Sequence, residues 1–372
     1  MTSTLLKLQN PEDVDSEYLL EVLLHQSINA ARGGAAYAWA TSRGVSLLFE
    51  DSVFQDFLGS GVFHLIVGVD AVTTPATLET LAEAERNYAG LSIQAFMSAD
   101  SEGLFHPKFA WFDHQTSGSL IVGSGNLTGG GLWYNREAFT VSELEAEATQ
   151  RVQQQWEAWK ISIAARLYPL LDSGVLDKAA LNTGWTLGRR SSSSRSEQSV
   201  STVAPKPTLP PRKDEEVLIA EIPRSGNRWK QANFDKRNYE EFFGARVGTQ
   251  RRMLFQSVDE HGASGEVESR PSVEVASRNW RFELNAASGL PYPTEGRPIG
   301  VFLRLRARTF LYYLSLPGSP WHEELVTHLE TSDVASADIR RLRETTADAA
   351  SLGAIQLLLR AGEGSFIDDD PA

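Results

Sequence analysis

The chain has 372 residues, of which 41% are apolar and 22% charged, and its net charge is −13. This length suggests two domains, and the composition is typical of a soluble globular protein rather than one coated in basic patches. No run approaches the roughly 18 apolar residues that a membrane-spanning helix needs, so we expect no membrane association. Cysteine is absent, which excludes disulfides, thiolate metal sites and cysteine nucleophiles and fits a cytoplasmic location.

Helical and strand-like stretches alternate through the first half of the chain. Apolar residues recur at helical spacing in some segments and form short continuous runs, typical of buried strands, in others. We predict helices at 15–31, 45–58, 75–88 and 143–171, and strands at 36–41, 62–69, 91–96, 109–112 and 120–122. This alternation predicts an α/β layered domain over residues 1–188.

A change of composition follows this domain. Residues 189–216 are rich in Ser and Pro and nearly lack large apolar side chains, which predicts a flexible linker. Short β-rich pieces separated by turn residues then fill residues 217–332, a pattern that suggests a small barrel or sandwich. The remainder, 333–372, is rich in Ala, Leu, Arg and Glu and is predicted to be a helical tail.

Charge is distributed unevenly between these parts. Residues 217–332 contain 15 Lys and Arg against 14 Asp and Glu, whereas the chain as a whole carries −13. If one part of the chain binds a polyanion, the C-terminal half is therefore the better candidate.

His106 and Lys108 lie two residues apart at the start of a predicted strand. Residues two apart in a strand point to one face, so both side chains would project together. An imidazole beside an ammonium group suits attack on a phosphodiester, because the imidazole can attack phosphorus while the cation stabilises the phosphoryl oxygens. Such a pair alone occurs more often by chance at an exposed strand end. The residues around it therefore decide whether the pair is catalytic.

Asn126 follows the next predicted strand in the glycine-rich turn GSGNLTGGG, residues 123–131. Its amide and the nearby backbone N–H groups could hold the same phosphoryl oxygens. Ser124 could add a hydroxyl donor. No Gly-Lys-Ser/Thr run follows, so the turn is not a nucleotide-binding P-loop.

The joint spacing of these residues resembles the HxKxxxxD…GSxN signature of the phospholipase D superfamily. The matching positions are His106, Lys108, Asp113, Ser124 and Asn126. The resemblance implies an α/β/α sandwich in which His106 is the nucleophile and forms a phosphohistidine, while Lys108 and Asn126 bind phosphate. Asp113 is expected to support the strand pair. Glu137 falls where nucleases of the family keep a glutamate that orients the histidine.

The chain has seven histidines, but only His106 lies in an HxK frame. Catalysis in the superfamily needs two histidines, one as nucleophile and one as general acid, so a homodimer would have to build one composite site from both chains. Single-motif members are typically small nucleases, whereas lipid-cleaving members usually carry two motifs. The resemblance therefore implies a metal-independent DNA endonuclease without cofactors.

The order of parts resembles metal-independent restriction endonucleases of this superfamily, whose C-terminal domain is a B3-like DNA-recognition barrel. Cations and amides interleaved with aromatics could read bases and hold phosphates there. The candidate DNA-binding residues are Arg224, Asn227, Arg228, Lys230, Lys236, Arg237, Arg246, Arg251, Arg252 and Arg281. Solvent-exposed strand ends and turns would explain the same composition.

Two other functions stay open from the sequence. The first is a nuclease or DNA-binding subunit of a defence complex, gated by a partner such as an ATPase, helicase or methyltransferase. The second is a phospholipase or phosphatidyltransferase, which would need a second motif or a membrane-binding surface that we do not find. The main hypothesis from the sequence remains a restriction or defence nuclease with a sequence-reading C-terminal domain.

Overall fold

The computed structural model describes residues 3–98, 103–182, 211–212, 214–224, 229–246, 249, 251–272 and 280–363. They divide into two compact units, one built mainly before residue 183 and the other mainly after residue 210. The predicted linker, 189–216, falls almost entirely outside the described residues. Across the described ranges, no helix combines the length and apolar character needed to span a membrane.

The first unit alternates strands and helices along the chain. In order they are β1 (Ser3–Gln9), α1 (Leu19–Ser27), β2 (Arg32–Tyr37), α2 (Ser42–Phe49), α3 (Ser52–Ser60), β3 (Val62–Gly68), α4 (Pro75–Asn87), β4 (Leu91–Phe96), β5 (Lys108–Asp113), β6 (Ser117–Gly123), β7 (Glu137–Glu145), α5 (Ala146–Ile163), β8 (Leu167–Tyr168) and α6 (Ser173–Ala180). The strands form one sheet in the order β1-β7-β6-β5-β2-β3-β4-β8. Among the described strands of this sheet, the parallel neighbours are β2 with β3 and β3 with β4.

Helices pack on both faces of this sheet. Phe54 and Phe57 of α3 pack against Phe63 and Phe112 on one face. On the other face Trp156 of α5 packs with Trp111 and its neighbours. The mixed α/β fold predicted for this region is therefore confirmed.

The second unit contains β9 (Glu216–Glu221), β10 (Gln231–Phe234), β11 (Arg252–Val258), β12 (Ser264–Pro271), β13 (Trp280–Glu283), β14 (Ile299–Arg306), β15 (Thr309–Ser315), α7 (His322–Thr331), β16 (Arg341–Thr345) and α8 (Gly353–Gly362). Six strands pair in the order β12-β11-β15-β14-β9-β16, and β10 pairs with β13 separately. An aromatic-rich core, including Phe243, Phe255 and Phe302, fills this unit.

Two expectations for this unit need correction. The predicted barrel is not closed among the described residues, because β12 and β16 end the six-stranded sheet without pairing with each other. The predicted helical tail is only partly helical, since β16 joins the sheet beside β9. Its sequence alternates, so Leu342 is buried while Arg343 forms an ion pair with Glu216. A period of two is the side-chain period of a strand, so this segment forms a strand although its composition favours a helix.

Candidate active site

The loop before β5 presents His106 to solvent while burying the residue on its N-terminal side. Phe105 is buried and stacks on Phe96 with ring centroids 4.2 Å apart. On the other side, the Ala38 N–H donates to the Pro107 carbonyl at 2.8 Å. These two contacts anchor the loop, so the exposed imidazole sits on a fixed backbone.

His106 and Lys108 are brought together as their spacing predicts. Lys108 Nζ lies 3.0 Å from His106 Nε2. An ammonium group can only donate, so Nε2 is the unprotonated ring nitrogen in this arrangement. The nitrogen with the nucleophilic lone pair therefore lies next to the cation.

The surroundings favour a neutral imidazole. Burial lowers the pKa of His106, and the charge of Lys108 lowers it further. Since a histidine in water has a pKa of about 6.5, His106 is uncharged at neutral pH, as a nucleophile must be. Burial also lowers the pKa of Lys108, while the Glu137 carboxylate acts in the opposite direction.

Asn126 lies just beyond β6 and is buried. Its Oδ1 accepts a hydrogen bond from the Trp39 backbone N–H at 3.2 Å. A backbone N–H can only donate, which fixes the amide oxygen on that side. The NH2 group has no partner among the described residues, so it is free to donate to a bound oxygen.

Trp39 is a site residue that the sequence did not reveal. Its ring meets the His106 ring edge-on at 5.5 Å, and Lys108 Nζ lies 5.6 Å from the ring centroid. Its backbone also holds Asn126 and accepts the Leu127 N–H at 3.2 Å. No motif marks Trp39, since it follows β2, some 70 residues before the HxK pair.

Ser124 and Glu137 form a second pair at the ends of β6 and β7. The Ser124 hydroxyl donates to Glu137 and accepts the Ala138 N–H at 3.1 Å. Asn135 Nδ2 donates to the other Glu137 oxygen at 3.2 Å. Glu137 has no hydrogen bond to His106 of its own chain in the described part of the structure, so the orienting role expected for it is not seen within one subunit.

Asp113 is the one signature residue that lies away from the site. It ends β5, whereas Lys108 begins that strand. Asp113 lies 3.3 Å from Arg32 on the neighbouring strand and accepts the Gln115 N–H at 2.8 Å. These contacts fit the expected support of the strand pair and its turn, and within one subunit they place Asp113 at the far end of β5 from Lys108. No group of three or more His, Asp or Glu side chains within the described ranges is placed to hold a metal ion.

The predicted DNA-binding cations are not grouped into one free basic patch. Asn227 and Arg228 lie outside the described residues. Five of the others form ion pairs, namely Lys230, Lys236, Arg237, Arg246 and Arg251. Arg252 is buried, which removes it as a surface contact. Arg224 is exposed, and the Arg281 side chain has no ion pair or hydrogen bond among the described residues.

No protein-family model and no curated protein matches this sequence. Among solved structures, NucT from Helicobacter pylori is 13% identical, with a TM-score of 0.34, and the match covers 45% of this chain and 99% of NucT. The phospholipase D family member Nuc from Salmonella typhimurium is 12% identical, with a TM-score of 0.33 and coverage of 45% and 97%. Phosphatidylserine synthase from Haemophilus influenzae is 14% identical, with a TM-score of 0.34 and coverage of 45% and 40%. At these values the functional assignment rests on the residues of the site itself.

Proposed function

We propose that this protein is a metal-independent DNA endonuclease of the phospholipase D superfamily. The observation that carries the proposal is the His106–Lys108 pair, 3.0 Å apart, next to the free Asn126 amide. A neutral imidazole, an ammonium group and an amide donor are what attack on a phosphodiester requires.

In the first step, His106 Nε2 attacks phosphorus, a P–N bond forms and the P–O bond to the leaving group breaks. Lys108 and Asn126 donate to the phosphoryl oxygens, whose charge grows in the transition state. A general acid protonates the leaving oxygen. In the second step, water attacks phosphorus, its proton passes to a general base, and the P–N bond breaks to release His106 and the phosphate ester.

One subunit provides a single imidazole at this place. None of the other six histidines, all within the described ranges, has a hydrogen bond or ring contact with the His106–Lys108 pair. We therefore propose that a second copy supplies the general acid, its own His106, through a two-fold interface. In such a dimer the Glu137 carboxylate of one chain can orient the imidazole of the other.

An exposed apolar surface beside the site supports this dimer. Leu6, Thr140 and Val122 lie opposite one another on β1, β7 and β6, and therefore share one sheet face. Leu6 and Leu8 are 65% and 67% exposed, and Val122 is 47% exposed. Ala138, paired with Leu8, donates its N–H to Ser124, so the surface continues into the site. An uncovered apolar face of this kind marks an interaction surface.

The second unit would bring the nuclease to DNA, and a restriction or defence role follows if it reads sequence. Exposed surface ion pairs such as Lys236–Glu240 contribute little stability, so DNA phosphates could displace their carboxylates. We propose a role for these cations in holding the DNA backbone.

Plasmid cleavage in the presence of EDTA tests the mechanism. We expect full activity in EDTA and loss of at least about 10^4-fold in His106→Ala, as for nucleophiles of covalent hydrolases. His114→Ala is the matched control, because the one hydrogen bond of the His114 ring among the described residues is to the Gln26 carbonyl, at 3.0 Å. Activity that EDTA abolishes and magnesium restores, or a His106→Ala protein that still cuts, would contradict the proposal.

A further inference from the structure

A small cavity of mixed lining lies in the second unit beside the β10–β13 pair. Its volume is about 230 Å³. The lining residues are Gln231, Arg270, Pro271, Arg281, Phe282 and Glu283. Pockets that hold drug-sized ligands begin at about 300 Å³, so this cavity suits a single ring system.

The β10–β13 pair has one apolar and one polar face. Ala232 and Phe282 oppose each other and are buried in the aromatic core. Gln231 opposes Glu283 on the other face. Arg281 lies on that same face, because residues two apart along a strand point the same way. Polar side chains of this face therefore line the cavity together with the hydrocarbon of Pro271 and Phe282.

Arg270 is held in place before any ligand arrives. Its Nη2 donates to Glu268 at 2.6 Å and to Asn285 at 2.7 Å, and its Nε donates to the Glu283 carbonyl at 2.8 Å. The Glu268 side chain is fully buried and also accepts the Tyr312 hydroxyl at 2.7 Å. Nη1 has no partner in the described part of the chain, so a fixed guanidinium keeps free donors.

The cavity also holds unused hydrogen-bonding groups of both kinds. The Arg281 side chain has neither an ion pair nor a hydrogen bond among the described residues. Gln231 Oε1 is buried and accepts no hydrogen bond there. An unpaired buried acceptor costs about 1–3 kcal/mol. A ligand that supplies donors to Gln231 and acceptors to the two arginines would relieve that cost.

We propose that this cavity binds one unpaired nucleobase, guanine in preference to the others. Guanine offers two acceptors, O6 and N7, that match arginine donors, and its N–H groups match the Gln231 oxygen and the Glu283 carboxylate. Adenine presents a donor beside N7, which an arginine cannot accept. A phosphate group would meet the charge of Glu283 instead, whose Oε1 pairs with Lys230 Nζ at 2.5 Å while the second carboxylate oxygen has no ion pair among the described residues. Because the site is concave, the base must leave its stack to enter it.

This inference rests on the proposed nuclease function for its source of nucleobases. The test uses the full chain carrying His106→Ala, so that the DNA is not cut, and four labelled ten-nucleotide strands. One strand is all thymine, and the others carry a single central guanine, adenine or cytosine. Fluorescence anisotropy should show the guanine strand binding about tenfold or more tightly than the other three.

A second substitution, Arg281→Gln, should remove this preference without changing the unfolding temperature, since the Arg281 side chain has no ion pair or hydrogen bond among the described residues. Arg360→Gln, exposed on α8, is the matched control and should keep the preference. Equal binding of all four strands, or a guanine preference that survives Arg281→Gln, would overturn the proposal. Plasmid cleavage by the His106 chain is measured in parallel. Guanine selectivity without cleavage would count against the nuclease and not against the cavity.

Discussion

Trp39 connects three of the groups that the proposed chemistry uses. Its ring touches His106 and Lys108, and its backbone N–H fixes Asn126. An aromatic face attracts a cation, and the Trp39 ring covers part of the exposed imidazole. The lowered pKa of His106 has burial as its main cause, so Trp39 contributes to keeping this nucleophile neutral.

Substitutions of Trp39 should therefore change the pH dependence as well as the rate. Trp39→Ala admits water, so the pKa of His106 should rise toward its ordinary value of about 6.5. The nucleophile works only when neutral, so the acidic limb of cleavage against pH should move to higher pH. Loss of positioning should lower the rate by about 10²-fold. Trp39→Phe keeps an aromatic face and should retain the wild-type limb.

Cleavage rates measured from pH 4 to pH 8 separate this role from simple destabilisation. A protein that was merely less stable would lose activity without a shift of the acidic limb. An unshifted limb in Trp39→Ala, with the fold intact by circular dichroism, would show that Trp39 does not control the imidazole.

At the scale of elements, the pairing of β5 with β6 explains why spacing alone predicted much of the site. The strands are neighbours in sequence and antiparallel, so the start of β5 and the end of β6 meet at one edge. His106, Lys108 and Asn126 therefore needed no long-range information. Trp39 did, because β2 joins β5 only in the folded sheet.

Other elements escaped the sequence for different physical reasons. β1 exposes its leucines and lacks the alternation of a half-buried strand. Residues 143–171 were predicted as one helix, but β7 continues to Glu145 and α5 ends at Ile163. Whether strands close into a barrel depends on pairing between distant edges, which local patterns do not contain.

The glycine-rich turn after β6 is closely packed and leaves no room for a side chain at Gly131. A substitution there should therefore lower the stability of the protein. A Cβ on Gly131 would lie 2.4 Å from the Asn126 carbonyl oxygen, so Gly131→Ala must displace the backbone that carries Asn126. Unfolding by denaturant should show a loss of about 1–3 kcal/mol, accompanied by reduced cleavage.

Gly59 in α3 is the matched control. No atom lies within 4 Å of a Cβ placed there. Gly59→Ala should leave cleavage intact and stabilise the protein by about 0.5–1 kcal/mol through helix propensity. An equal free energy of unfolding for Gly131→Ala and the wild type would mean that the turn rearranges without a loss of stability.

At the scale of the whole molecule, the apolar surface of β1, β7 and β6 and the single imidazole point to the same requirement. A sheet flanked by helices leaves an apolar face in water only at a cost, roughly 25 cal/mol for each Å² left uncovered. Covering that face with a second copy would place two Ser124–Glu137 ends near one axis. The stability of the sheet and the completion of the site would then depend on one contact.

Mixing subunits tests whether the working site belongs to two chains. Wild-type and His106→Ala chains are combined in equal amounts, unfolded and refolded together. Random pairing leaves about a quarter of the dimers wild type, so plasmid cleavage should fall to about half that of the unmixed wild-type chains.

A Leu6→Glu chain, which carries a charge on the exposed apolar surface, should sediment as a monomer and fail to cut. Leu171 is exposed elsewhere, so Leu171→Glu should remain a dimer and cut. Cleavage proportional to the number of wild-type chains, or an active Leu6→Glu monomer, would show that one chain suffices.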